Sequence, residues 1–253
     1  MSSDQQQIGE RMKEYENVTR YHLSRRTPTI IRVDGRAFHT FTKTIADPSL
    51  ERSPFSEKFN AAMVSTAECL FHSVQNAVFV YTQSDEISIL LRDWDNRGTQ
   101  QWFNGTIQKI CSLSASIATA EFNDSARVFL NQTRSLAHFD ARVFQLPKEE
   151  VTNYFIWRQQ DAIRNSVQMY ARFFYSHKQV TGLSNQQLID LIDNTQESTP
   201  WSHLPVWMRH GVAISKGADQ SMITDRNLPR FVEDRKYVEQ YITAQGDVND
   251  SST

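Results

Sequence analysis

Two aspartates, Asp34 and Asp85, stand where a pair of carboxylates could share a cation. Asp34 closes TPTIIRVDG (27–35), an apolar, β-branched run that reads as a buried strand. Asp85 lies in the polar pair Ser84-Asp85, between AVFVYTQ (77–83) and EISILLR (86–92). These two runs read as a hairpin with Asp85 at its tip. If the first strand and the hairpin are sheet neighbours, both carboxylates come to one edge. Carboxylates that close repel each other, and a cation between them relieves the repulsion. Magnesium suits the pair, because it takes oxygen ligands, often one or two carboxylates plus phosphate oxygens. Two such ions, roughly 3.5–4 Å apart, can activate a hydroxyl and stabilise a leaving oxygen. Gly35 has no Cβ, so the backbone there can approach phosphate and present a carbonyl to a metal. Asp-Gly and Ser-Asp-Glu are also ordinary turn sequences. Either alone reads as a turn; together, at matching strand ends, they favour a metal site.

The elements that would position them follow from pattern. Residues 5–22 look helical and polar. Residues 56–73 carry Phe59, Met63, Ala67 and Leu70 at helical spacing. Residues 101–122 form another helix candidate, and AHFDARVFQL (137–146) a fourth strand. The order β-α-β-β-α-β is the split βαβ arrangement, an α+β class. It predicts a ferredoxin-like antiparallel sheet with helices on one face. Beyond it come helices over about 148–175 and 184–193, an irregular segment with Trp201 and Trp207, and a helix over about 229–243. The expected division is a palm-like core with an N-terminal helix (1–146) and a mainly helical extension packed on it (147–253). The tail GDVNDSST is polar and expected to be disordered.

Composition narrows the class. No apolar run is long enough to span a membrane. The first residues, MSSDQQQIGERMKEYE, lack the apolar stretch of a secretion signal. The two cysteines, Cys69 and Cys111, form no Cys/His cluster, which argues against zinc and suits a reducing, cytoplasmic setting. A net charge of −2 argues mildly against a nucleic-acid binder, although a basic face can coexist with an acidic remainder.

IIRVDGRAFHTFTK (30–43), YTQSDEISILL (81–91), QKICSLSASIATAEFN (108–123), FDARVF (139–144) and WRQQDAIRNS (157–166) occur in this order. In combination they resemble the tRNA-His guanylyltransferase-like 3′–5′ polymerases, over roughly residues 8–216. The resemblance implies that the ferredoxin-like sheet is a polymerase-palm domain, one that extends RNA at its 5′ end. The 5′ end is activated by a nucleoside triphosphate, or already carries a triphosphate, and the 3′-hydroxyl of an incoming nucleotide attacks it. It implies Asp34 and Asp85 as metal ligands, Gly35 as a carbonyl ligand, and Glu86 beside them in the catalytic group. Arg36, Ala37, Phe38 and His39 would wrap the triphosphate, with Ser84 and Lys109 also on phosphate. It further implies two Mg2+ ions, ATP or GTP as activator and substrate, tRNA as partner, and a homo-oligomer, commonly a tetramer.

The chain departs from the family pattern in three places. The His-Ile-Asn-Asn run of the eukaryotic members is replaced by Ile163-Arg164-Asn165-Ser166, as in the branch that repairs truncated tRNA 5′ ends on a template. The family's Lys-Pro-Asn-Asp segment has its nearest counterpart in Arg52-Ser53-Pro54-Phe55, which makes Arg52 the stand-in for a phosphate-binding lysine. A second phosphate-contacting arginine falls on Thr106. Outside the motifs, Asp140 and Arg142 read as a strand ion pair or part of the site's rim, and Phe155 and Trp157 as core. Arg158 and Asn165 share a helix face and, with Arg164 and Lys178, are candidate RNA contacts; Arg172 and His177 could extend a basic strip. His72 and His203 read as ordinary histidines. A palm-type nucleotide cyclase and a non-catalytic RNA-binding scaffold are the competing readings.

Overall fold

The computed structural model describes residues 3–45, 47, 50, 53–131, 135–195, 199–217 and 219–243. Arg52 and the GDVNDSST tail lie outside them. The expected β-α-β-β-α-β core is present: β1 (Thr29–Gly35), α3 (Glu57–Ser73), β2 (Ala77–Gln83), β3 (Glu86–Leu91), α4 (Ile107–Leu130) and β4 (Phe139–Gln145). Helix α1 (Ser3–Asn17) precedes it, and one short turn, α2 (Phe38–Phe41), follows β1. The long helix α5 (Lys148–Phe174) comes next, then α6 (His177–Val180), α7 (Asn185–Asp193) and α8 (Val206–His210). The segment after α8 differs from expectation: it forms two more strands, β5 (Val212–Lys216) and β6 (Met222–Asp225). The helix expected over 229–243 is a series of turns around a single helical one, α9 (Lys236–Glu239). There Phe231 and Val238 are drawn flat onto the sheet, and Phe231 N–H donates to Gln159 Oε1 at 2.7 Å rather than to a helix carbonyl.

The strands pair antiparallel in the order β4-β1-β3-β2-β5-β6. The sheet therefore draws strands from both sides of the expected boundary at residue 146. Side chains alternate between its faces. Ile31, Val33, Val80, Ile87 and Ile89 face α3 and α4, which pack against each other over them. Ile30, Phe79, Tyr81 and Leu90 face the other way, toward Val151, Tyr154 and Phe155 of α5 and toward Leu228, Phe231 and Val238. Each such side chain contributes roughly 1.5–3 kcal/mol by leaving water.

Helix α5 passes under the sheet and continues beyond it. Its N-terminal half meets the strands, with Tyr154 Oη 2.7 Å from Ser88 Oγ. The last turns bury Val167, Tyr170 and Ala171 in a separate cluster with Leu188 and Ile192 of α7 and with Leu204.

Candidate active site

The end of β1 is fastened on both sides. Gly35 N–H donates to the carbonyl of Asp85 at 3.0 Å, and Arg36 N–H to that of His138 at 2.8 Å. Asp34 stands opposite Glu86 on β3 and Asp140 on β4, so three carboxylates form a row across three strands. Asp85 comes to the same edge through the two-residue turn after β2, where Ser84 adopts φ 50° and its Oγ donates to Asp85 Oδ1 at 3.0 Å. The Asp85 carboxyl is pushed above its ordinary range, first by burial, with the Ser84 hydrogen bond opposing and the Asp34 charge adding to the rise. Glu86 is raised by burial too, against the pull of Arg158 and Arg32.

This donor set fits a hard divalent cation. Among the described residues no three His, Cys, Asp or Glu side chains form a ready metal cage. Two aspartates and adjacent backbone carbonyls suit a cation that retains water and accepts phosphate oxygens. The electrostatic cost carried by Asp85 is one that a cation would remove.

The loop after β1 is shaped by an aromatic knot. Phe38 is buried, with ring centroids 5.2 Å from Phe41, 5.2 Å from Phe122 and 5.0 Å from Phe139. Its ring occupies the space beside residue 35, where an added Cβ would fall 2.3 Å from Phe38 Cδ2. Ala37 adopts φ 56°, which reverses the chain into α2. Thr40 and Phe41 N–H donate to the Ala37 carbonyl at 2.9 and 3.2 Å, which leaves the first N–H groups of the turn, those of Phe38 and His39, facing outward without a helical partner.

Beside this edge lies a cavity of about 420 Å3. Ser84, Asp85, Phe38 and His39 form one wall; Ala162, Asn165, Ser166 and Met169 of α5 form another; Trp207, Arg209 and Gly211 close it. Gly211 has φ 81°, and an added Cβ would meet Thr82 O at 2.7 Å, so only glycine brings α8 this close to β2.

The expected residues divide. Asp34, Gly35, Ser84, Asp85 and Glu86, with Arg36, Ala37, Phe38 and His39, gather at this end of the sheet. Lys109 does not. Ile110 lines a crevice with Thr29 and Leu91, at the opposite end of β1, while Phe122 of the same helix touches Phe38. Thirteen residues of helix separate Lys109 from Phe122, about 20 Å along the axis. Lys109 is exposed, with its ammonium 6.0 Å from the Phe103 ring.

The helix-face reading of Arg158 is also corrected. Arg158 is buried, donates from Nη1 to Glu86 Oε2 at 2.7 Å, and lies 3.2 Å from Asp161, so it is not available to RNA. Trp157, expected in the core, is 52 % exposed, whereas Phe155 is fully buried. Arg164, Asn165 and Lys178 are exposed, and Arg164 pairs with Asp161. Asp140 and Arg142 make a loose exposed contact of 3.5 Å.

Two candidates were missed by pattern. Arg32 shares Asp34's face of β1, stands opposite Arg142, and has a buried Nε with no partner. Arg209 lines the cavity, with its guanidinium 5.2 Å from the Trp201 ring. The parity of Arg32 with Asp34 was readable in the sequence; nothing local marked Arg209.

Comparison with known proteins places this geometry among relatives. Residues 9–147 match the sequence model described as tRNAHis guanylyltransferase. An uncharacterized protein of Acanthamoeba polyphaga mimivirus is 30% identical over 232 residues, covering 83% of this chain and 77% of that one. The probable tRNA(His) guanylyltransferase of Homo sapiens is 24% identical over 222 residues, 82% of this chain and 71% of that one. Among solved structures, a bacterial tRNA(His) guanylyltransferase-like protein in complex with ATP superposes with a TM-score of 0.85 at 43% identity, covering 93% of this chain and 99% of that one. One in complex with GTP gives 0.75 at 39% identity with the same coverage.

Proposed function

The chain belongs to the tRNAHis guanylyltransferase family and is a nucleotidyltransferase; from that premise we propose that it adds nucleotides to the 5′ end of tRNA in the 3′–5′ direction, copying the facing strand. The observation that carries the reading is that Asp85, whose carbonyl accepts from Gly35 N–H beside Asp34, lines a cavity of about 420 Å3, room for a purine nucleoside. Two similar proteins bound to ATP and GTP support a nucleotide there.

Asp34, Asp85 and the Gly35 carbonyl would hold Mg2+, which supplies charge neutralisation at phosphate and a more acidic attacking hydroxyl. The remaining work falls to the chain. Ser84 orients the Asp85 carboxylate. The loop after β1 cradles the triphosphate with the N–H groups of Phe38 and His39, and Arg32, on Asp34's face of β1, adds a positive charge that also acts on Glu86. Glu86 is held by Arg158, so it sets the position of Asp34's neighbourhood without ligating. The cavity walls fix the base, and pre-orientation supplies much of the rate in phosphoryl transfer.

Template direction rests on Ile163-Arg164-Asn165-Ser166, which lacks most of the side chains of the guanine-adding members. A correct base pair then places the attacking 3′-hydroxyl in line. The test uses 5′-truncated tRNAs whose facing nucleotide is varied through all four bases, with magnesium and labelled triphosphates. Each should direct its Watson–Crick partner. Guanine addition regardless of the facing base would reject the template reading. Nucleotide turnover without RNA would support a cyclase instead.

A further inference from the structure

The outer strip of α5 extends past the site as an open groove of about 430 Å3, lined by Asn165, Gln168, Met169, Arg172 and Phe173 with His39 opposite. The spacing 165, 168, 169, 172, 173 is one helical face. Asn165, Met169 and His39 also line the deep cavity, so the two spaces are continuous. The opposite face of these turns is buried against α7, so the strip is held rigidly.

Its chemistry is unusual for a solvated face. Met169 is 42 % and Phe173 36 % exposed, which leaves a flat apolar surface open to water. The side chains of His39, Gln168 and Arg172 have no hydrogen-bond or ion-pair partner among the described residues. An aromatic face beside a free guanidinium and two amides suits a nucleotide: stacking serves any base, the guanidinium takes phosphate, and an amide can both donate and accept at a base edge. Residues 165–173 span about 12 Å, the length of three or four stacked nucleotides at ~3.4 Å each.

Its location sets it apart from the carboxylate edge. Ser84 and Asp85 line the deep cavity but not this groove. From Arg158, which touches Glu86, Asn165 is about 10 Å and Phe173 about 22 Å further along the helix axis. The groove leads away from the carboxylate edge, where the body of a polymeric substrate must pass.

We propose that this face of α5 binds a single-stranded segment of the RNA substrate, with a base stacked on Phe173 and Met169 and a phosphate on Arg172. The proposal rests on RNA being the substrate. The test measures binding of a 3′-labelled, 5′-truncated tRNA and of a short unstructured RNA, alongside ATP binding by calorimetry. Phe173→Ala should weaken RNA binding about five- to a hundredfold, while Phe173→Trp, which keeps a stacking face, retains it. Arg172→Gln should lower the slope of log K against log salt by about one. ATP affinity should not move. Unchanged RNA binding in Phe173→Ala overturns the groove alone. A parallel loss of ATP affinity overturns it in favour of a mononucleotide seat. A wild-type protein that binds neither RNA removes the RNA reading itself, and the groove proposal with it.

Discussion

Arg158 Nη1 lies 2.7 Å from Glu86 Oε2, and the two side chains are only 7 % and 10 % exposed. This buried pair joins α5 to the strand beside Asp34. Removing one partner leaves a buried charge uncompensated, which typically costs 3–5 kcal/mol. We expect Arg158→Met to lower stability by roughly that amount, measured by urea unfolding, and Arg158→Met with Glu86→Gln to recover much of it. Equal loss in the single and double variants would show that the pair holds nothing.

Gly35 is required for space. Gly35→Ala would drive a methyl group into the Phe38 ring, 2.3 Å from Cδ2. Overpacking of this kind costs typically 1–3 kcal/mol, and the displaced ring would pull the Arg36–His39 loop with it. The expected result is a lower melting temperature and loss of nucleotide addition, with partial recovery in Gly35→Ala/Phe38→Leu. Full activity in Gly35→Ala would contradict the packing argument.

Asp85→Asn should abolish nucleotide addition without weakening the fold, as should Asp34→Asn. The sign follows from linkage. Asp85 titrates above its ordinary value of 3.8 in the folded chain, chiefly because of burial. Its charge therefore costs stability: nothing well below pH 3.8, more as the pH rises toward the raised value, and fully at neutral pH. In the absence of magnesium, Asp85→Asn should melt no lower than wild type at pH 7 and lose its advantage in acid. Chelation of magnesium should silence the wild type. Activity within tenfold of wild type in either variant would sink the carboxylate pair.

Lys109→Ala should leave the nucleotide Michaelis constant unchanged in dilute enzyme. The lysine is exposed at the far end of β1, and surface substitutions of that kind stay within about 0.5 kcal/mol. A large rise in that constant would mean that Lys109 reaches phosphate by a route other than its own subunit's site.

Local signals carried most of what was legible. Asp34-Gly35 ends a β-branched run, and Ser84-Asp85 interrupts two others, so their strands and shared edge could be read without a structure. The strands β5 and β6 could not. VAISK is short, and its partner, β2, is about 130 residues earlier, where periodicity gives no sign. The helical spacing of Arg158 and Asn165 was read correctly as a shared face, but spacing does not reveal that a sheet covers one end of that face and water the other. Lys109 shows a related limit: a motif fixes a residue's type and order, and a straight helix then carries it about 20 Å from Phe122, the residue of the same motif that packs beside the carboxylate edge. Arg209 was invisible because its role depends on Gly211 letting α8 close over Thr82.

The strand order also sets a timetable for synthesis. Asp34, Asp85 and Glu86 have all been made once residues up to Leu91 have emerged, yet Tyr81 Oη donates to the His210 carbonyl 129 positions later, at 2.8 Å. Until β5 arrives, β2 is an unprotected edge on the ribosome, open to pairing with another nascent chain. The wall that closes the cavity beside Asp85, Trp207 to Gly211, is among the last parts to be made. A chain interrupted before residue 206 would thus carry Asp34 and Asp85 but not the enclosed cavity beside them, and would be prone to self-association rather than partly active.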